Sequence, residues 1–182
     1  MSTTPTTQSA AKSSGAGLPH SRATAQAGKY LVFLLDGEEF AISVLKVREI
    51  SKIMEVTPVP KVPAHVKGVI NLRGKVIPVV DLRAKLALAA QAYTERTCII
   101  VVEVATAAAT AMVGMVVDTV CEVLNIAAGE IEATPEFGGS VDVSCVNGLA
   151  KVKGKVKILL DLDTLLSMDS VRSPVAGARH VE

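Results

Sequence analysis

One stretch of this chain is written twice. VKGVINLRGKVIPVVDLRAKL, residues 66 to 86, returns as VNGLAKVKGKVKILLDLDTLL, residues 146 to 166, without a gap. Val66, Gly68, Gly74, Lys75, Val76, Asp81 and Leu82 stand opposite Val146, Gly148, Gly154, Lys155, Val156, Asp161 and Leu162. Upstream, AISVLKVREI (41 to 50) aligns with GMVVDTVCEV (114 to 123), Val47 with Val120 and Glu49 with Glu122. The offset there is 73 rather than 80, so the second half carries about seven extra residues, assigned to IEATPEFGGSVDVSC. A unit of roughly 70 residues buries too little surface to stand alone. The two copies are therefore expected to pack together and to leave a groove between them, a common kind of binding site.

The local pattern is that of a β protein. KYLVFLLD ends in the turn dipeptide Asp36-Gly37 and EEFAISV follows, a hairpin signal. TCIIVVEVA and TAMVGMVVDTV are two more Val-rich runs around the link TAAAT. In GLAKVKGKVKILL the apolar residues alternate with lysines at a period of two, which is a strand and not a helix. Gly68, Gly74, Gly148 and Gly154 are read as turn glycines, because glycine accepts positive φ. Pro78 removes a ladder donor, which predicts an edge position or a bulge. Asp81 and Asp161 each precede a leucine-spaced segment and are expected to cap a short helix.

The flanks differ. Residues 1 to about 28 are rich in Ser, Thr, Ala, Gly and Pro and bury too little to offset chain entropy, so a disordered tail is expected; residues 169 to 182 read alike. The ordered part is residues 29 to 168. MSTTPTTQSAAKSSGAG lacks the apolar core of a secretory signal. No apolar run reaches the roughly 18 to 20 residues of a membrane helix. Cys98, Cys121 and Cys145 form no CxxC pair, which suits a reducing compartment. A cytoplasmic protein is expected.

The search for chemistry is mostly negative. His65 has no second His or Cys at ligand spacing and no GxSxG partner, so neither zinc nor a nucleophile triad is expected. Lys and Arg total 19 against 18 Asp and Glu, a formal charge of +1, and no Trp is present. That balance argues against general nucleic-acid binding. The row Lys151, Lys153, Lys155, Lys157 is the local exception. Alternation would put most of it on one face, either as a solvated strand face or as a surface for an acidic partner. Arg73 precedes a turn glycine, where the second copy has Lys153, and Glu49 is a possible partner for it. The residues alone leave open whether that pair is functional or an ordinary surface contact.

These residues carry a resemblance. KGVINLRGKVIPVVDLR resembles the hallmark segment of CheW-like domains, the coupling family of bacterial chemotaxis. LVFLLDGEEFAISVLKVREI, VVDTVCEVLNI, TPEFG and KVKILLDLDTLL follow the family's order, so the likeness covers residues 28 to 168. It implies an all-β fold of two linked five-stranded SH3-like barrels with short helices, and no catalysis or cofactor. It implies two partners, chemoreceptor cytoplasmic tips and a CheA-type histidine kinase. The kinase's regulatory domain shares the fold, and the two can alternate in rings at arrays beneath the inner membrane. It implies a receptor-binding groove between the barrels; carried over by position, Val47, Glu49, Arg73 and Val76 are candidates for it, with Cys98 where the family usually has an apolar residue. His65 replaces a commoner aromatic, and SCVNGLAKV is a polar version of its segment. A coupler of another chemosensory-like pathway is one alternative. A basic-faced barrel that binds nucleic acid is the other.

Overall fold

The computed structural model describes residues 25–135 and 143–167. The chain opens with β1 (Gly28–Leu35) and β2 (Glu38–Ser43). A 3-10 turn, Val44–Lys46, leads into β3 (Val47–Lys52), β4 (Val66–Leu72), β5 (Lys75–Asp81) and α1 (Leu82–Lys85). Next come β6 (Cys98–Ala105), β7 (Thr110–Val117) and β8 (Thr119–Ile126). The two-residue β9 (Ile131–Glu132) precedes β10 (Val146–Val152), β11 (Lys155–Leu160) and α2 (Leu162–Leu165).

Two barrels result: one uses the consecutive strands β3 to β7, and the other joins β1 and β2 to β8, β9, β10 and β11. One sheet has the order β3-β6-β7-β5-β4, the other β8-β1-β2-β11-β10-β9. Apart from β9, the orders correspond strand for strand: β3 with β8, β6 with β1, β7 with β2, β5 with β11 and β4 with β10. The amino-terminal hairpin therefore completes the barrel built by the second half of the chain. Each sheet contains one parallel pair in its interior, β5 with β7 and β11 with β2.

The turns explain the registers. Three hairpins share one two-residue turn with positive φ at both positions: Asp36-Gly37 (53° and 81°), Arg73-Gly74 (52° and 85°) and Lys153-Gly154 (52° and 75°). Such turns match the twist of paired strands. At Gly74 the Asn71 side chain helps, its oxygen accepting from the Gly74 N–H at 3.0 Å. Gly68 and Gly148 are different: they lie inside β4 and β10, where the register shifts, so they are bulge and not turn glycines. A Cβ on Gly68 would stand 2.0 Å from the carbonyl oxygen of Thr57, a residue that makes an isolated bridge to Val69. For Pro78 the edge alternative fails, since β5 lies inside its sheet, while the β4–β5 register shift begins at the next residue, Val79. Its parallel ladder with β7 begins at Val79, so the missing donor falls just outside it.

Alternation along the strands sorts the core. Tyr30, Val32, Ala41, Ala150, Val152 and Leu159 fill one barrel; Ile70, Ile77, Val79, Ile99, Val101 and Val116 fill the other. The opposite faces of the same strands, including Leu31, Phe33, Leu35, Ile100, Val102, Val104, Val113 and Met115, form the largest cluster between the barrels. This is why KYLVFLL and CIIVV read as unbroken apolar runs: both faces are buried. The expectation that the copies share a core holds. The tail assigned to residues 1 to 28 lies outside the described residues as far as residue 24, while Gly28 opens β1 and the Ala25 N–H donates to the Asn147 oxygen at 3.3 Å. Part of the assigned insertion, residues 136–142, and residues 168–182 also lie outside the described residues.

Candidate functional site

The β4–β5 turn carries Arg73 to the rim of its barrel. Its side chain is 81% exposed, and Nη2 stands 3.3 Å from Oε1 of Glu49 on β3. β3 and β4 are the two ends of the sheet order, so the pair bridges the barrel's open edges. The second barrel repeats the device: Lys153, on the β10–β11 turn, lies 4.0 Å from Glu122 on β8. Val76 and its counterpart Val156 are apolar yet 70% and 50% exposed. Duplication has thus kept a cation, a carboxylate and an exposed valine on each barrel.

The other candidates are placed differently. Val47 and Glu49 look like same-face neighbours, but the ladder shifts register between them, so they face Val102 and Val101. Consecutive partners point to opposite faces. Val47 accordingly packs against the shared core while Glu49 reaches the rim. Cys98 pairs with Lys52, at the far end of the β3–β6 ladder from Val47, and its Sγ contacts the Arg96 oxygen at 3.2 Å. The structure thus brings Arg73 and Glu49 together, with Val76 next on β5, and does not join Cys98 to them.

The lysine row does not form one face. In a two-residue hairpin Lys151 pairs with Val156, whereas Lys155 and Lys157 pair with Val152 and Ala150. The turn inverts the parity, so Lys151 lies on one face and Lys155 and Lys157 on the other. Each lysine has a carboxylate. Lys151 meets Glu132 at 2.9 Å, Lys153 meets Glu122, Lys155 meets Glu39 at 3.5 Å, and the buried Lys157 also meets Glu39. Hydrogen bonding from Lys157, opposed by burial, holds Glu39 below the ordinary carboxylate range.

Both aspartates cap their helices. Asp81 Oδ1 accepts from the Arg83 N–H at 2.9 Å; Asp161 Oδ1 accepts from the Asp163 and Thr164 N–H groups at 3.0 and 3.2 Å. The other Asp81 oxygen takes the Tyr93 hydroxyl at 3.4 Å, and burial with that carboxylate pushes the phenol up to about 12. Between the helices lies a concave pocket of about 530 Å³. Its walls are equivalent segments of the two copies, Lys85 to Ala87 on one side and Thr164, Leu165 and Ser167 on the other. A pocket between the copies is therefore present, but none of Val47, Glu49, Arg73, Val76 and Cys98 lines it. It lies at the α1 end of β5, opposite the Arg73 turn, and a seven-residue strand spans roughly 20 Å.

Two polar residues that motif reading passed over hold the barrels together. Arg83, 8% exposed, donates to Asp118 at 2.7 and 2.6 Å and to Asp36 at 3.4 Å. It also donates to the Ala89 oxygen at 2.7 Å and to Gln91 at 2.5 Å. Asp163 accepts from Lys46 Nζ at 3.0 and 2.8 Å and from the Ala105 N–H at 2.8 Å. The visible signal was the reversal of charge from Arg83 to Asp163 directly after the matching Asp-Leu pairs.

Among the described residues no group of three or more His, Cys, Asp or Glu could hold a metal, and no helix is long and apolar enough to cross a membrane. What the fold and rim define is a two-barrel β protein whose distinctive side chains are presented on its surface. Comparison with known proteins agrees. Residues 29–170 match the CheW-like domain, and the chain belongs to that family. It is 37% identical over 143 residues to the chemotaxis protein CheW of Klebsiella aerogenes, covering 79% of this chain and 84% of the relative. It is 37% identical over 148 residues to the Bacillus subtilis chemotaxis protein CheW, covering 81% and 92%. The crystal structure of the scaffolding protein TtCheW from Thermoanaerobacter tengcongensis superposes with a TM-score of 0.70 at 32% identity, covering 80% of this chain and 97% of that one.

Proposed function

We propose that this chain is a non-catalytic scaffold that couples chemoreceptors to a CheA-type histidine kinase in bacterial chemotaxis signalling. Its membership of the CheW-like family along nearly all of the described chain carries the reading. The receptor's cytoplasmic tip docks beside the Glu49–Arg73 pair. Val76 offers apolar area there, and the two charges set register, while Val47, packed against the shared core, supports the strand that carries Glu49. Cys98 stands apart from that rim and is the outlying candidate. The kinase's regulatory domain, itself a barrel pair of the same fold, takes another outer surface. Alternation of the two gives rings in receptor arrays at the cytoplasmic side of the inner membrane.

The test separates docking from folding. Arg73→Ala and Glu49→Ala are expected to weaken binding of a receptor cytoplasmic fragment about five- to tenfold, the range of a lost charged contact at an interface. Kinase binding and the far-ultraviolet circular dichroism spectrum should stay as in wild type. Equal loss of both partners in folded variants would show that the pair is not a receptor contact.

A further inference from the structure

The two inter-barrel contacts are counterparts, and their charges are exchanged. Arg83 and Asp163 occupy the same position of the repeat, the second residue of α1 and of α2. Each leaves its own barrel. Arg83 reaches Asp36 in the turn of the β1–β2 hairpin and Asp118 in the β7–β8 connection. Asp163 reaches the end of β6 at Ala105, beside the β6–β7 turn, and Lys46 in the β2–β3 connection. β1 corresponds to β6, and the β2–β3 connection to β7–β8. The same crossing is thus made twice, with a cation on anions in one place and an anion on a cation in the other.

We propose that Arg83 and Asp163 are paired positioning residues that fix the angle between the barrels. Asp163, through Lys46, also holds the Leu45–Val47 segment in place for receptor docking. The first part stands on geometry alone; the second rests on the coupling function proposed above. The shared apolar core drives the barrels together, but burial of apolar area is non-directional. Charge-assisted hydrogen bonds are directional, and a bidentate guanidinium–carboxylate pair especially so. The link to docking is local. Lys46 lies between Leu45, an apolar side chain 85% exposed, and Val47, which begins the strand that carries Glu49.

The test uses the full chain, with Asp163→Lys, Asp163→Asn and the exchange Lys46→Asp/Asp163→Lys. The primary readout is backbone residual dipolar couplings, fitted separately to β4–β7 and to β1, β2, β10 and β11. Wild type should fit one orientation shared by both barrels. Asp163→Lys should give a changed or averaged relative orientation with each barrel intact, Asp163→Asn a smaller change, and the exchange should restore the wild-type angle. Affinity for a receptor cytoplasmic fragment should fall about fivefold in Asp163→Lys and recover in the exchange, a typical coupling between linked sites. A wild-type angle in Asp163→Lys would overturn the positioning role. A changed angle with unchanged receptor affinity would overturn its link to docking. If wild type binds no receptor fragment, the coupling function falls and the docking half with it, while the couplings still decide the angle.

Discussion

Two arginines in the repeated segment should respond in opposite ways to the same substitution. Arg73 is 81% exposed and meets Glu49 at 3.3 Å. An exposed pair of that kind contributes under about 1 kcal/mol. Arg83 is 8% exposed and makes two bonds to Asp118, one to Asp36, one to the Ala89 oxygen and one to Gln91. Removing it strips a carboxylate of its partner and leaves a hole between the barrels. Loss of one partner of a buried pair costs about 3 to 5 kcal/mol. Asp118 is 30% exposed and can regain some water, so about 3 kcal/mol is expected for Arg83→Ala. Urea unfolding followed by circular dichroism measures both, with the slope of the transition as a check that the unfolded state is unchanged. Arg73→Ala should unfold near the wild-type midpoint and Arg83→Ala well below it. A wild-type midpoint for Arg83→Ala, or an early collapse of Arg73→Ala, would refute the reasoning that exposure separates the two roles.

Other outcomes follow from the same geometry. Glu39→Gln leaves the Lys157 ammonium, 4% exposed, without its carboxylate and should cost on the order of 3 kcal/mol, whereas Lys157→Met should stay within about 1 kcal/mol of wild type; thermal melts compare them. Gly68→Ala places a Cβ 2.0 Å from a backbone oxygen at a φ of 141° and should prevent folding or cost more than about 3 kcal/mol. Gly74→Ala, with open space around it, should cost only about 1 kcal/mol, judged by the same melts. Lys157 holds Glu39, Arg83 holds Asp118, and Lys46 with the Ala105 N–H holds Asp163 against its burial, each below the ordinary carboxylate range. Folded values below unfolded ones mean stabilisation that is complete above about pH 5 and lost as pH falls through the folded values. Urea midpoints taken from pH 6 down to pH 3 should therefore fall on the acid side, and a flat profile would contradict these pairings.

The sequence showed the units but not how they exchange parts. Repeats, strand runs and hairpin turns were legible because each rests on local rules: alternation, glycine at positive φ, and a capping aspartate. That β1 and β2 complete the second barrel was not legible. Their runs are apolar on both faces, so nothing in them names a partner. The lysine row was misplaced because a two-residue turn inverts which residues share a face, and periodicity within one strand cannot register this. Val47 and Glu49 were separated by a bulge for a similar reason. Arg83 and Asp163 were visible only as a mismatch, since their partners lie across the barrel boundary and far away in sequence. The Arg73–Glu49 pairing was readable as a possibility, because a turn arginine and a strand carboxylate recur in kind in the second copy. Its meaning was not.

Reconstitution tests the central claim most directly. The protein is combined with a CheA-type kinase and receptor-bearing membranes from its own source, and kinase autophosphorylation is followed with and without it. Receptor-dependent activation that requires this chain, and that is reduced by Arg73→Ala, is the predicted result. Kinase activity unchanged by the chain, with no binding to either component, would contradict the coupling function.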